Sequence, residues 1–161
     1  MYLLNKLSAR VDLQKKSEFI RGYYMEFKEN ALTVEIYREL RSSVEWKTLN
    51  IKQIEHDLSR SLYSIIVLDE DNPVGMGRIV GDGIYNTVCD VIVKPDYQRK
   101  GIGTEVMNQL LKYFDDQILE NEKSCVQLIA EKGKESFYKR FGFESVPNEF
   151  SGSGMRKIIC K

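Results

Sequence analysis

At 161 residues the chain has, at roughly 150 residues per domain, room for one domain and a core large enough to enclose a ligand site. Apolar residues make up 42% and charged residues 30%, with 24 Lys and Arg against 24 Asp and Glu, which excludes a disordered chain and the basic excess of a dedicated nucleic-acid binder. No apolar run approaches the roughly 18 residues that span a bilayer and residues 1–10 do not resemble a signal peptide, so a cytoplasmic protein with neither nucleic acid nor membrane as partner is expected.

Residues 1–22 place Leu3, Leu4, Leu7 and Val11 on one helical face without a cap or turn, and read as an N-terminal appendage to a domain spanning 23–161. Arg21 and Gly22 can be encoded by purine-rich codons of the kind that precede a translation start, which also allows a start at Met25. The first strand is expected over 23–28. Thr33 is a suitable N-cap for a helix through Ser42 that carries Ile36 and Leu40. Asn50 with Gln53 resembles a capping box before the apolar stripe of Ile51, Ile54, Leu58 and Leu62. Residues 64–68 and 74–80 flank the turn at 69–72 as a hairpin, and the β-branched run 84–93 predicts a long strand ending at Pro95. Ile102, Val106, Leu110, Phe114 and Ile118 mark a long amphipathic helix, and 125–130 a short strand after it. Strand, helix and strand in that order predict a parallel pair joined by a right-handed crossover. A short helix over 134–140 and two tail strands over 143–145 and 155–160 complete an α+β fold with a mixed sheet.

The chemistry concentrates between Val91 and Thr104, where a strand runs through Gln98, Arg99, Lys100, Gly101, Ile102 and Gly103 straight into a helix. A helix N-terminus presents unpaired amides and partial positive charge, and glycines let phosphate oxygens approach the backbone. A dinucleotide fingerprint would need glycine at Val106, and a P-loop Gly-Lys-Ser/Thr is missing. An isolated Gly-x-Gly is equally a turn that merely begins a helix. One histidine, His56, leaves a histidine zinc site or a Ser/His/Asp triad nothing to draw on, and it lies off the apolar stripe as a solvated side chain. Cys89, Cys125 and Cys160 form no CxxC pair, so buried free thiols and no metal are expected.

The run from Gln98 to Gly103 matches in full the Arg/Gln-x-x-Gly-x-Gly/Ala loop of the GNAT superfamily of acyl-CoA-dependent N-acetyltransferases, and the chain resembles that family. Residues 134–143, with Phe137 and Tyr138 on a helix ending at Gly142 and Phe143, resemble its second signature in the right order and spacing. The resemblance implies a three-layer α/β arrangement: a mixed, mostly antiparallel sheet with a central, splayed parallel strand pair and flanking helices. It also implies acetyl-CoA as co-substrate without a metal. The free backbone of Val91, Ile92 and Val93 would pair with the pantetheine arm, and Arg99 to Thr104 would give amides to the pyrophosphate. Tyr138 would lie near the CoA sulfur as the acid for the departing thiolate. Glu131 and Lys134 replace the frequent Asn and Ala of the second signature, and glutamate at the first position resembles the aralkylamine-acetylating branch.

A lysine-like amine of pKa ~10.4 is only ~0.1% neutral near pH 7.4, a deficit of about 4 kcal/mol that a base or desolvating pocket must offset. Strand alternation sets Thr87, Cys89 and Val91 on one face and Val88, Asp90 and Ile92 on the other. Family members with a recognised base often have Glu or His at the positions of Thr87 or Cys89, and this chain has neither. Asp90 is a base candidate if a bulge re-aims it, and a water relay is the other reading. Trp46 belongs either to the acceptor site, in the loop that covers it in this fold, or to the core. The resemblance as a whole implies acetyl transfer to a primary amine of a small molecule. The alternatives are a protein lysine or N-terminal amine as acceptor and a non-catalytic acyl-CoA sensor, with a homodimer as a possible assembly.

Overall fold

The computed structural model describes residues 16–20, 22–47 and 49–159, and its contacts divide it into two compact units with the boundary after Val126. The first is a six-stranded sheet with the strands in chain order: β1 (Lys16–Ile20), β2 (Tyr23–Glu29), β3 (Tyr63–Asp69), β4 (Asn72–Gly81), β5 (Tyr85–Val93) and β6 (Cys125–Gln127). The first five pair antiparallel, and β6 runs parallel to β5. Strand β3 is buried along its first six residues, as a strand covered on both faces must be.

The two faces are covered by different helices. On one, α1 (Val34–Ser43) and α2 (Ile51–Leu58) bring Tyr37, Leu40 and Ile54 onto Ile66, Leu68, Met76 and Ile92. On the other, α3 (Ile102–Gln117) buries Ile102, Val106, Met107, Leu110 and Phe114. Gly75 and Gly77 of β4 point at α3: a Cβ on Gly77 would lie 2.8 Å from Val106 and 2.9 Å from Leu110. Glycine there lets the helix sit directly on the strand.

Both early helices begin where expected. The Thr33 hydroxyl accepts from the Ile36 amide at 3.3 Å, and Asn50 Oδ1 accepts from the Lys52 amide at 2.9 Å. The α2 stripe is narrower than predicted, because Ile51 is 51% exposed and Leu62 lies past the helix end. The described part of the expected appendage is β1, paired with β2, and residues 1–15 and Arg21 lie outside the described residues. No helix of the described residues is long and apolar enough to cross a membrane.

The second unit holds α4 (Glu135–Lys139) and the tail, and none of its described residues is buried. Neither tail strand, 143–145 or 155–160, is formed among the described residues, and Cys160 lies outside them. The run from Met155 to Ile159 lacks the alternation that commits a strand to one face, and Met155, Ile158 and Ile159 stay 74–96% exposed. The parallel pair therefore ends the described sheet, instead of lying at its centre.

Candidate active site

The turn between β5 and α3 is built to leave a helix N-terminus open. One 3-10 turn, Pro95–Tyr97, follows β5, and the Gln98 side chain donates to the Val93 carbonyl at 3.0 Å. Tyr97 donates to Asp69 at 2.8 Å, and the Lys100 ammonium lies 4.3 Å from the Tyr23 ring centre and 4.8 Å from that of Tyr97. Arg99 and Gly101 take positive φ, 61° and 94°, and a Cβ on Gly101 would lie 3.1 Å from Ile20 Cγ2. Gly101 is the N-cap of α3 and offers no side-chain cap. The first-turn amides of a 16-residue helix thus lack the acceptor that Ser, Thr, Asn or Asp would supply, and a phosphate oxygen fits that place. Ile102, 1% exposed, contributes its side chain to the core, so only its backbone is available to a ligand. Gly103 and Thr104 continue the same turn.

Strand β5 changes face midway. Arg78 pairs with Cys89 and Met76 with Ile92, so Gly77 alone stands opposite both Asp90 and Val91. Asp90 takes φ of 52° at this bulge. Simple alternation placed Ile92 opposite Cys89, but the extra residue returns Ile92 to the face of Cys89, Arg78 and Met76, inside the α1 and α2 core. Its pairing with β6 begins where the Cys125 amide donates to the Ile84 carbonyl at 2.8 Å. Strand β6 has three residues against nine in β5. No strand among the described residues therefore pairs with Val91, Ile92 and Val93 on the side away from β4.

The bulge does re-aim Asp90, but into an ion cluster. Arg78 Nε donates to its Oδ2 at 2.6 Å and Arg41 Nη1 to its Oδ1 at 2.8 Å, with the Asp90 side chain 8% exposed. Tyr37 also donates to Oδ2 at 3.3 Å. Arg78 reaches the Ser61 hydroxyl at 3.2 Å. Arg41 reaches the Lys47 carbonyl at 3.2 Å and lies 5.1 Å from the Trp46 ring centre. Both carboxylate oxygens are thus already engaged by donors from α1 and β4. Trp46 is half-buried: it packs against the α1 and α2 core and one face meets Arg41.

Cys89 and Thr87 lie on the same face as Arg78. Burial pushes the Cys89 thiol up to about 11, so it stays protonated near neutrality and is unsuited to carry an acyl group. His56 is exposed.

In the second unit, Tyr138 on α4 is half-buried, edge-on to Phe137 at 5.0 Å and Phe143 at 6.3 Å. Burial first and the Glu131 carboxylate second raise its pKa, which keeps the phenol protonated as a hydrogen-bond donor. Glu131 itself is exposed and accepts from the Lys134 amide through its carbonyl at 2.9 Å.

Sequence reasoning missed Tyr37, Arg41 and Arg78. One signal was available: Arg78 is the charged residue inside the apolar strand run of β4, and a buried charge implies a partner.

Residues 32–158 match the family model of the acetyltransferase (GNAT) domain. The chain is 29% identical over 157 residues to an uncharacterized N-acetyltransferase, ycf52, of Porphyra purpurea, covering 94% of this chain and 83% of that protein. It is 30% identical to a protein named serotonin N-acetyltransferase 2, chloroplastic, from Oryza sativa subsp. japonica, over 82% of this chain and 66% of that one. Among solved structures, a GNAT family acetyltransferase of Streptococcus pneumoniae superposes with a TM-score of 0.70 at 33% identity, covering 85% of this chain and 99% of that chain.

Proposed function

The chain belongs to the GNAT acetyltransferase family, and from that premise we propose that it transfers the acetyl group of acetyl-CoA directly to a primary amine of a small molecule. The observation that carries this reading is the pairing of a glycine-led α3 N-terminus without a side-chain cap with a β5 whose last residues have, among the described residues, one strand-free side. The first suits a pyrophosphate and the second an extended amide-bearing arm that pairs like a strand.

Bound acetyl-CoA supplies an activated thioester. The backbone of Val91, Ile92 and Val93 holds the arm, and the amides of Gly101, Ile102, Gly103 and Thr104 hold the phosphates, with Gln98, Arg99 and Lys100 shaping the turn. The Val91 amide polarises the thioester carbonyl as the amine attacks. A water passes the amine proton to solvent. Tyr138 donates a hydrogen bond to the leaving sulfur: at ordinary values of ~10 and ~8.5, full transfer from phenol to thiolate is uphill by about 2 kcal/mol, and its raised pKa makes it more so.

A small acceptor is supported by a cleft of about 600 Å³ lined by Asn30, Thr33, Glu35, Glu55, Ser61 and Ser64, the size range of small-molecule sites. Glu35 and Glu55 would attract a protonated amine there, on the side where Ser61 holds Arg78. The name of the rice relative agrees with a small aromatic amine. A cytoplasmic location and a homodimer complete the proposal, and are read by cell fractionation and by light scattering.

The test is free-thiol release from acetyl-CoA with a panel of polyamines, aralkylamines, amino sugars, amino acids and a lysine peptide. Amine-dependent release is expected, slowed roughly 10- to 100-fold in Tyr138→Phe, on the scale of one lost hydrogen bond to a charged group. Tight CoA binding without release across the panel would overturn it in favour of an acyl-CoA sensor.

A further inference from the structure

We propose that Asp90 is a positioning residue: clamped by Arg41 and Arg78, it fixes the β5 bulge that aims the Val91 amide and ties that bulge to the acceptor-side loop after α1. The inference rests on the acetyltransferase reading for its kinetic arm.

Three elements meet on this one carboxylate. Arg78 comes from β4, the antiparallel neighbour of the bulge, and Arg41 from the last turn of α1. Tyr37, one helical turn before Arg41, donates to the same oxygen as Arg78, and both guanidinium groups lie over its ring, at 5.3 and 5.7 Å. The backbone of Asp90 is left-handed at φ 52°, a conformation that a residue with a Cβ rarely adopts unless its surroundings impose it. The surroundings here are the two charge-assisted bonds, each donor on a different element and each side chain largely buried. Arg41 Nε is buried with no acceptor among the described residues, so its placement serves the Asp90 bond and the loop, not the satisfaction of its own donors.

The clamp reaches the cleft wall at Ser61 through Arg78, and the loop after α1 through Arg41. That side chain donates to the Lys47 carbonyl and stacks on Trp46, and its own carbonyl accepts from the Trp46 amide at 3.0 Å. A shift of the α1–α2 loop is therefore felt at Asp90, next in sequence to Val91, without any intervening flexible link. Asp90 touches neither amine nor thioester in this account.

Four variants separate a clamp from a base and from plain strain relief: Asp90→Asn, Asp90→Gly, Arg41→Gln and the double variant Asp90→Asn/Arg41→Gln. Each is measured for kcat and KM in the thiol-release assay, for thermal midpoint, and for hydrogen exchange of the amides at 91–93. The clamp predicts that Asp90→Asn lowers kcat at least 10-fold and speeds exchange at 91–93, that Arg41→Gln does both, and that the double variant is no worse than the poorer single. Asp90→Gly tolerates positive φ but leaves Arg41 and Arg78 without their shared carboxylate, so its midpoint falls and its kcat remains low. Recovery of kcat by Asp90→Gly would reduce Asp90 to a strained turn residue and overturn the proposal. A kcat unharmed by Arg41→Gln, which frees the carboxylate, would overturn it in favour of a base. If the wild type releases no thiol with any amine, the acetyltransferase reading fails, and the exchange arm still decides the clamp: unchanged protection of 91–93 in both single variants would overturn it.

Discussion

Cys89 carries the clearest residue-scale consequence of the fold. Its thiol is pushed up to about 11 by burial, whereas in the unfolded chain it ionises at the ordinary value for cysteine. The unfolded chain therefore releases its proton first as pH rises, and stability present below about 9 is lost progressively toward 11, on the order of 2 kcal/mol. Tyr63, whose phenol is also raised by burial, acts in the same direction. The urea midpoint should fall between pH 8.5 and 10.5, and fall less in Cys89→Ala; an equal fall in both would remove Cys89 as the cause. The same burial predicts unequal labelling at pH 7.5: a thiol reagent should modify exposed Cys125 well before half-buried Cys89, as peptide mass spectrometry reads directly.

At the residue scale the two signatures were legible because each is local. Gly101 and Tyr138 sit in runs whose spacing along the chain is also their spacing on one turn or one helix. Asp90 was legible only as a question. Its partners are 49 and 12 residues away, and alternation alone cannot announce the extra residue that turns it toward them.

At the scale of elements, close packing of α3 on β4 depends on Gly77. Gly77→Ala places a methyl group within 3 Å of Val106 and Leu110, both fully buried. Overpacking of this kind costs roughly 1–3 kcal/mol, so the thermal midpoint should drop by several degrees; an unchanged midpoint would mean that helix and strand are not in this contact. Asn50→Ala removes the α2 cap seen at Lys52 and should cost about 1 kcal/mol in a urea titration. At the other end of the site, Gly101→Val replaces the left-handed N-cap of α3, at roughly 1–2 kcal/mol, and brings a branched side chain toward Ile20. Acetyl-CoA affinity measured by calorimetry should weaken about 10-fold, while a wild-type affinity would deny the α3 N-terminus its role.

The helices and strands β2 to β6 followed from capping residues and periodicity, and the start of each of α1 and α2 matched its cap, whereas β1 fell within the expected appendage. What did not follow is instructive. The tail carries apolar residues, yet Met155, Ile158 and Ile159 remain exposed, because hydrophobicity without alternation does not choose a partner strand. In α2, Ile51 falls on the apolar stripe by spacing but lies in the first turn, where it is 51% exposed.

At the scale of the whole molecule, the proposed donor site is made from backbone more than from side chains. An α3 N-terminus, a bulge and a strand side without a partner among the described residues are features of how elements end, and loops can vary while leaving them in place. This division explains why family membership was readable from two short motifs while the acceptor was not: the proposed donor side repeats a local pattern, whereas the cleft proposed for the acceptor collects Asn30, Glu35, Glu55 and Ser61 from separate segments. Charge balance across the chain selects no acceptor either.

Acetyl transfer to an amine is the central claim, and the most direct measurement follows free thiol and N-acetylated amine together, by thiol titration and mass spectrometry, as the protein is incubated with acetyl-CoA and each amine of the panel. The account predicts one thiol released per amide formed with at least one small amine, and a rate that falls in Tyr138→Phe. Thiol release without N-acetylated product, or none from any amine despite bound CoA, would contradict it.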